Sequence, residues 1–402
     1  MELDPGPDLQ AFHREARAWI AEFAPPGVDG PGHPAWPEWE RRLLEARLVC
    51  PQWPGEAGGR GWGGAQLAVF EEECHRAGLP RLTRGVGESI VGPSLIVHGT
   101  AGQRARLLPR IVQGRDRHCL GFSEPGHGSD LAGVETLGEV AGDEIVVTGR
   151  KTWTAGADRA THVFVLCRTR PDARPHRDLS AVLLPMGGGG VEVRPLRQMS
   201  GATGFFEVRL ERTRATLADV IGGLGGGWRV AMTALAFERG GRAAVEHLAH
   251  ERELWGLIET ARRSGRSRDP LVRQQLAWAY AQVQLMRIQG IRRLAQMAVK
   301  QEPGAEASMT KLFSSEYHRR FGEIAVDVVG ADALVRPDGD GYATDRWQDV
   351  FLSGRAETIA SGTSEILRDV IAERALGLPG DGSHEDPCLH HPVEEEAPKG
   401  RR

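Results

Sequence analysis

The sequence has 402 residues, of which 40% are hydrophobic and 26% are charged, with a formal net charge of -4. This length predicts a large core spread over two or three structural units, and the balanced charge argues against a nucleic-acid clamp, which needs a basic excess. The five cysteines form no CxxC pair and no apolar run approaches the ~20 residues of a membrane span, so neither zinc knuckle, disulfide framework nor membrane segment is predicted. We expect a protein of the reducing cytoplasm whose acidic N-terminus is not a signal peptide.

Residues 1–118 are predicted to form a helical domain. The stretch "DLQAFHREARAWIAEF" places its apolar residues at helical spacing on one face. "GAQLAVFEEECHRAGL" repeats that pattern and ends at Gly78, and "GTAGQRARLLPRIVQG" predicts a further short helix.

Residues 119–225 change character, because short β-branched or aromatic runs alternate there with Gly, Asp and Pro. The runs are "DEIVVTG", "ATHVFVLCRT", "LSAVLLPM", "VEVRPL" and "GFFEVRLER". Such runs predict strands separated by turns. Their spacing is too tight for helical crossovers, so an antiparallel barrel or sandwich is predicted.

Residues 226–380 return to helical patterns and are predicted to form a four-helix bundle. A +4, +3, +4, +3 rhythm marks the bundle seam at Val272, Leu276, Ala279, Val283 and Met286. A last helix is predicted after Gly362, and the tail at 381–402 is predicted to be disordered. The predicted fold class is therefore α+β, with a cleft where the three domains meet, a favoured place for a cofactor.

Six segments resemble signatures of the acyl-CoA dehydrogenase family, in the family's order, over roughly residues 5–380. "GFSEPGHGSDLAG" is similar to its flavin-binding signature. The others are "WPGEAGG", "GPSLIVHGTAGQRARLLPRI", "GRKTWTAGADRATHVFVLCRT", "GGGWRVAMTALAFERG" and "SGTSEILRDVIAERALGLP". The amino-acid usage of the chain resembles that of actinobacterial-type members, which often work in mixed-subunit assemblies. The chain is identified as a member of this family, and the expected fold follows from that resemblance as well.

The resemblance implies FAD as cofactor, with Phe122, Ser123, Gly128 and Ser129 in the first flavin segment. In the family, the hydroxyls matching Ser123 and Ser129 bond the ring carbonyl and a phosphate oxygen. The physical chemistry agrees, because glycines let backbone N–H groups approach a pyrophosphate closely. By local composition alone, a tight β-turn is the first interpretation of this segment, and the other five motifs reverse that order.

The resemblance also places Trp153 against the flavin ring, where stacking adds affinity, with Thr154 beside it. Relatives carry a hydroxyl residue at the next position as a donor to flavin N5, whereas this chain has Ala155. Thr154 is a candidate replacement for that donor. An ordinary buried tryptophan is the alternative interpretation of Trp153.

At the C-terminal motif, the resemblance assigns Thr363 and Glu365 to the adenosine half of FAD. Gly330 is assigned to a loop that contacts the cofactor of a neighbouring subunit. A helix N-terminus suits such an anionic group, although Thr363 is equally suited to be a simple helix cap.

The expected chemistry needs a carboxylate that removes the proton alpha to a thioester carbonyl. Many relatives carry this base just before the Gly-Thr of the last motif, where this chain has Ser361. Other relatives carry it in an "ER" pair on the first bundle helix, which matches Glu238 and Arg239 here. We therefore predict Glu238 as base, Arg239 as its orienting partner and the Ser361 N–H as a donor to the thioester oxygen. Glu357 is the poorer candidate, and an ordinary surface role is the alternative for Glu238.

The expected activity is dehydrogenation of an acyl-CoA thioester to the trans-2-enoyl thioester, as in fatty acid beta-oxidation, with an electron-transfer flavoprotein as acceptor. A homo- or hetero-oligomer, dimer or tetramer, is expected, with neither nucleic acid nor membrane as partner. The alternatives are a catalytically silent FAD-binding subunit, which Ser361 and Ala155 favour, and a flavin-dependent oxygenase on the same fold. No metal is assigned, since His390 and His391 have no partners at ligand spacing.

Overall fold

The chain forms helices first, then a β-sheet, then helices again, which confirms the predicted α+β class. The computed structural model describes residues 6–169, 176–240, 246–298, 306–335 and 344–380, and of residues 238–240, 293–298 and 306 it describes the backbone alone. The tail predicted to be disordered lies outside the described residues. The domain limits after residues 118, 225 and 380 stay predictions.

The N-terminal part is helical, as predicted. Its helices are α1 (Gly6–Phe23), α2 (Trp36–Glu45), α3 (Gly64–Arg76), α4 (Gly92–His98) and α5 (Ala101–Val112), and a π-helical turn at Gly87–Val91 leads into α4. Helix α5 begins with a reciprocal cap. The Gln103 N–H donates to Thr100 Oγ1 (3.2 Å) and the Thr100 N–H donates to Gln103 Oε1 (2.8 Å). This arrangement satisfies an N–H group that the helix itself leaves without a partner.

Trp53 attaches the loop between α2 and α3 to the start of α4. Its side chain is 4% exposed and its Nε1–H donates to the Glu88 carbonyl at 3.2 Å. The indole lies directly against Gly92, where a Cβ atom would overlap the ring. Position 92 therefore needs glycine for close packing.

The described residues of the middle part form one eight-stranded sheet. Its strands are β1 (His118–Gly121), β2 (Leu137–Ala141), β3 (Glu144–Ala155), β4 (His162–Arg168), β5 (Leu179–Pro185), β6 (Val191–Leu196), β7 (Phe205–Thr216) and β8 (Val220–Ile221). The strand order is β6-β7-β3-β2-β4-β5-β8, with β1 also paired to β4. The five predicted runs correspond to β3 to β7, whereas β1, β2 and β8 are too short for an alternating pattern to reveal them.

Most neighbouring strands are antiparallel, as predicted, but β1 and β4 run parallel. Their register places His118 opposite His162, and β2 also meets β4 in a parallel bridge at Leu137 and Arg168. A parallel pair needs a long connection, and the β2–β3 hairpin within residues 122–161 provides it. The sheet is therefore mixed rather than purely antiparallel.

Strand β4 is buried on both faces. Phe164 and Leu166 pack into the core of the N-terminal helices, whereas Val163, Val165 and Cys167 pack into a second core inside the sheet. That second core also contains side chains of β3, β5 and β7, and β5 packs against β7. The sheet thus curls around an interior, and burial on two faces explains the continuous apolar run "VFVLC".

The C-terminal part contains α6 (Gly227–Gly240), α7 (His247–Arg263), α8 (Pro270–Ala298), α9 (Glu306–Val329), α10 (Arg346–Glu357) and α11 (Ser364–Arg374). The predicted seam is confirmed, because its residues lie in or against the core shared by α7, α8, α9 and α10. No helix among the described residues has the length and hydropathy needed to span a membrane.

Helix α6 lies where the three parts meet. It packs against β5, against α4 and against the π-helical turn at Gly87–Val91. Its buried residues Val230, Ala231 and Ala234 belong to the N-terminal core and not to that of the bundle. The C-terminal end of α6, which carries position 238, is therefore positioned by both the sheet and the N-terminal helices.

Replacing Gly92 by alanine is expected to destabilise the protein by about 1–3 kcal/mol, because the added methyl group overpacks against Trp53. The matched control is Gly102→Ala in α5, where a Cβ meets only Thr100 Oγ1 at 4.0 Å. This control should stabilise slightly, since alanine favours helix. Urea denaturation followed by circular dichroism measures both, and equal stability of the two variants would contradict the packing argument.

Candidate functional site

The first predicted flavin segment follows strand β1. Phe122 is 4% exposed and packs at a tilt against Phe164, with ring centroids 5.6 Å apart. The Ser123 carbonyl accepts a hydrogen bond from the Thr152 N–H at 3.0 Å. This bond joins the first segment to the strand that carries Trp153, so the fold brings the two predicted flavin segments together.

A buried ion pair strengthens this junction. Lys151 is fully buried, and its Nζ donates to Glu124 Oε1 at 2.7 Å and to the Phe122 carbonyl at 3.2 Å. Glu124 also binds the segment before β2. Its carboxylate accepts hydrogen bonds from the Glu135 N–H at 2.6 Å, from the Thr136 N–H at 3.0 Å and from the Thr136 hydroxyl at 2.5 Å. Both carboxylate oxygens are therefore satisfied, as a buried charge requires.

The net electrostatic effect favours the ionised form of Glu124. Burial raises the pKa of its carboxyl group, but the Lys151 ammonium and the hydrogen bonds from Thr136 and Glu135 outweigh burial and lower that pKa overall. A carboxyl group whose pKa is lowered by folding stabilises the fold at pH values above its ordinary pKa of about 4.3. That contribution is lost as the pH falls through the lower, folded-state pKa.

A β-bulge turns Trp153 away from the body of strand β3. The register between β3 and β7 shifts between Lys151 and Thr154, and Trp153 adopts φ 55°. Its indole is 59% exposed and rests edge-on against Phe205, with centroids 6.0 Å apart. Bulges often redirect a side chain next to active sites, and a non-glycine residue at positive φ costs conformational energy that a function can explain.

The structure separates Thr154 from the exposed surface that Trp153 and Ala155 share. Thr154 is fully buried, and its Oγ1 has no hydrogen-bond partner in the described part of the chain. Ala155 is exposed. The Thr154 hydroxyl therefore does not lie on the exposed surface at Ala155, which corrects the idea that it supplies the donor that Ala155 lacks.

The glycine-rich turn leaves open space beside its backbone. A Cβ at Gly126 or Gly128 would meet no atom within 4 Å, and Ser129 is exposed. His127 instead leans back on the turn, with Nδ1 3.4 Å from Asp130 Oδ2. Open backbone with a short hydroxyl beside it fits a phosphate-bearing ligand.

The C-terminal motif forms a turn between helices α10 and α11. Ser361 has φ 55° and is exposed, and Gly362 has φ 99°. Thr363 caps α11 by accepting from the Ile366 N–H at 3.2 Å. Lys311 holds this turn from helix α9, because its Nζ donates to the carbonyls of Glu357 (2.8 Å) and Gly362 (2.7 Å).

Gly330 and Glu365 lie elsewhere on the C-terminal helices. Gly330 begins a 3-10 turn at φ 74°, in open space where a Cβ would meet nothing within 4 Å, and Glu365 is exposed. Among the described residues, neither these two nor Thr363 make a hydrogen bond or ion pair with the two flavin segments. Their assignment to the cofactor stays a prediction.

The two candidate bases differ in what the structure describes. Glu238 and Arg239 lie at the C-terminal end of α6, where the backbone alone is described, so their roles stay predictions. The rival, Glu357, accepts a hydrogen bond from His318 Nδ1 at 2.8 Å. Burial lowers the pKa of His318, but the nearby carboxylates of Glu253 and Glu357 raise it to about 10. Glu357 is thus engaged with the His318 side chain.

Two features that organise this region, the buried Lys151–Glu124 pair and the bonds of Lys311, were not predicted from the sequence. Lys151 and Glu124 were visible as charged residues inside otherwise apolar or glycine-rich motifs, an unusual place for charges that are not paired. Lys311 carried no comparable signal, because a lysine on a helix is normally solvated, and only the fold aims it at the turn after α10.

Lys151→Met is expected to lower the free energy of unfolding by about 3–5 kcal/mol, because it leaves the Glu124 carboxylate buried without its counter-ion. The double variant Lys151→Met/Glu124→Gln removes both charges and should be less destabilised than the single variant. Urea denaturation at pH 7 provides the comparison. A single variant as stable as wild type would show that the pair does not carry this junction.

Comparison with known proteins matches all three parts of the chain. Models for the acyl-CoA dehydrogenase N-terminal, middle and C-terminal domains match residues 6–115, 119–213 and 225–376. Acyl-CoA dehydrogenase IpdE1 of Mycobacterium tuberculosis is 42% identical over 383 residues, covering 92% of this chain and 98% of that protein. The protein of the same name from Mycolicibacterium smegmatis is 40% identical over 393 residues, with the same two coverages.

Solved structures agree. The Tcur3481-Tcur3483 steroid ACAD is similar at a TM-score of 0.79 and 30% identity, covering 94% of this chain and 100% of that chain. The ChsE4-ChsE5 complex from Mycobacterium tuberculosis is similar at a TM-score of 0.73 and 25% identity, with the same coverages. From the paired flavin segments, the three domain matches and the relatives that match over nearly its whole length, it follows that this chain belongs to the acyl-CoA dehydrogenase family.

Proposed function

We propose that the chain is an FAD-dependent acyl-CoA dehydrogenase that introduces an α,β double bond into a CoA thioester. The observation that carries this proposal is the junction of the two flavin segments. The Thr152–Ser123 backbone bond and the buried Lys151–Glu124 pair hold the glycine-rich turn next to the exposed Trp153.

The residues present fit FAD. Trp153 offers an exposed indole ring for stacking. The turn at Gly126, Gly128 and Ser129 offers open backbone and a hydroxyl for phosphate oxygens. The Ser123 carbonyl is bonded to the Thr152 N–H, and its hydroxyl is proposed to bond the flavin ring. When bound, FAD supplies the acceptor for the hydride that leaves the β-carbon of the thioester.

The chain's own contribution is the movement of a proton. We assign Glu238 as the base that accepts the α-proton, with Arg239 orienting it, because no carboxylate stands at position 361. Position 238 follows Ala234 by one helical turn on α6, the helix at which the three parts of the fold meet. The Ser361 N–H, in its exposed turn, is proposed to donate to the thioester oxygen as negative charge develops there.

The proposed substrate is a CoA thioester from lipid degradation, with a steroid-derived acyl group as the first choice. The support is a relative of similar structure that is described as a steroid ACAD. Electron-transfer flavoprotein is the proposed acceptor of the electrons.

A second candidate function is a silent subunit that completes a partner's site. Ser361 and Ala155 favour it, because many relatives carry the carboxylate base at the first position and a hydroxyl residue at the second. Both similar structures are named for two chains, and one of them is described as a complex. Large apolar side chains on α7 and α8 are also exposed, among them Trp255 (50%) and Tyr280 (46%), which suits burial in an assembly.

Glu238→Gln is expected to slow flavin bleaching by an acyl-CoA thioester at least about 100-fold, because the amide cannot accept the α-proton. Glu357→Gln tests the rival base and should bleach at nearly the wild-type rate. Stopped-flow absorbance with a panel of steroid-derived and straight-chain thioesters measures both. Equal bleaching by wild type and Glu238→Gln would remove Glu238 from the mechanism.

The same experiment separates the two candidate functions. If none of the tested thioesters bleaches the flavin of the wild-type chain alone, the assay is repeated with the partner that co-purifies from the native host. Activity that appears with the partner and survives Glu238→Gln supports the silent subunit. Activity that is lost in Glu238→Gln supports this chain as the source of the base.

Trp153→Ala is expected to weaken FAD binding about threefold to tenfold, which is the contribution of one aromatic stacking partner. Trp153→Phe keeps a ring at the same bulge and should lose less. Quenching of flavin fluorescence on titration into the apoprotein measures the dissociation constants. Unchanged affinity in Trp153→Ala would contradict the stacking role.

A further inference from the structure

Three potential metal ligands converge between helices α7 and α9, in the C-terminal bundle. His250 and Glu253 stand one turn apart on α7, and His318 faces them from α9. One potential ligand atom of each of the three residues lies within 4.8 Å of those of the other two. Glu253 Oε2 is 3.1 Å from His318 Nε2 and 3.7 Å from His250 Nδ1.

The outer nitrogen of each histidine is held by a polar partner. His250 Nε2 lies 3.1 Å from Ser314 Oγ, and His318 Nδ1 lies 2.8 Å from Glu357 Oε2. Metal-binding histidines characteristically use the second ring nitrogen in this way, because such a bond fixes the orientation of the ring. The outer bonds leave Nδ1 of His250 and Nε2 of His318 directed at the shared space.

The inner atoms of the cluster lack hydrogen-bond partners. His250 and His318 are 7% and 6% exposed. Within the described ranges, His250 Nδ1, His318 Nε2 and Glu253 Oε2 are buried without a hydrogen bond of acceptable geometry. A buried polar atom that lacks a partner costs free energy, and three such atoms around one space need a common explanation.

We propose that His250, Glu253 and His318 form a binding site for a divalent transition-metal ion, with Zn²⁺ as the best match. Imidazole and carboxylate ligands suit Zn²⁺, whereas Mg²⁺ and Ca²⁺ prefer oxygen ligands alone. Three protein ligands leave a fourth tetrahedral position for water. The site is separate from the proposed flavin surface and does not depend on the proposed function.

A metal-free ion pair accounts for only part of this cluster. An imidazolium at His318 between Glu253 and Glu357 satisfies that ring. It leaves His250 Nδ1 without a partner, 3.7 Å from a carboxylate oxygen that already faces His318. A metal ion satisfies all three inner atoms at once.

The position of the site gives the metal a structural role. It joins α7 to α9, and the bond from His318 to Glu357 extends the connection to the end of α10. The turn that carries Ser361 begins directly after that end. The ion is therefore expected to stabilise the bundle and this turn without touching substrate.

The test uses the full-length protein, dialysed against a chelator and then titrated with Zn²⁺, or with Mg²⁺ as the control ion. His384, Cys388, His390 and His391 are all replaced by alanine in every sample, which removes the imidazole and thiol ligands of the tail. We expect one tightly held Zn²⁺ per chain by mass spectrometry of metals, and a melting midpoint raised by about 3 °C or more. Mg²⁺ should do neither.

Glu253→Gln and His250→Ala should each abolish the bound equivalent and the rise in melting midpoint, whereas His33→Ala, a matched histidine change in the N-terminal part, should preserve both. If His250→Ala does not fold, the isosteric Glu253→Gln decides the question. The proposal is overturned if the tail-substituted wild type binds no Zn²⁺, or if Glu253→Gln binds as much as wild type. Either result would leave the metal-free ion pair as the correct description.

Discussion

The buried pair of Lys151 and Glu124 is the interaction on which the candidate flavin site depends. It joins the loop after β1 to strand β3, and Glu124 also binds the segment before β2. Both charges are withdrawn from water. Moving the loop away from strand β3 would therefore leave a buried charge without its partner, at a cost of several kcal/mol. The glycine-rich turn therefore keeps its place beside the bulge that presents Trp153. A surface assembled in this way is organised before a ligand arrives, which lowers the cost of binding.

Apolar packing provides the second constraint. Strands β4 and β5 are buried between the N-terminal helices and the interior of the curled sheet, and α6 adds Val230 and Ala234 to the same N-terminal core. The three parts are thus not independent units that touch at their surfaces. A change in the packing of α6 would move the position of the proposed base at 238, although no residue of the flavin segments would be altered.

The turn after α10 keeps a defined shape at the position where many relatives carry the carboxylate base and this chain has Ser361. Ser361 and Gly362 both adopt positive φ, and Lys311 holds the turn through two carbonyl oxygens. The neighbouring His318 and Glu357 connect the same region to α7. Backbone strain that is maintained by a dedicated lysine is consistent with a backbone N–H donor at Ser361. Glu357 is engaged with His318, and the choice between Glu238 and Glu357 as base stays a prediction.

The sequence by itself determined the order of helical and β parts and the bundle seam, because periodicity is a local property. The two flavin segments were predicted from their resemblance to the family, since local composition alone indicates a tight turn. The sequence also determined that position 361 carries no carboxylate. Only the tertiary structure decided that β1 pairs parallel with β4, that Thr154 turns inward at a bulge and that Lys151 meets Glu124. The cluster of His250, Glu253 and His318 belongs to the same class, although the His-x-x-Glu spacing on α7 was visible. Each of these depends on contacts between residues distant in the chain, and burial, which decides whether a charge is solvated or paired, is a property of the folded molecule alone.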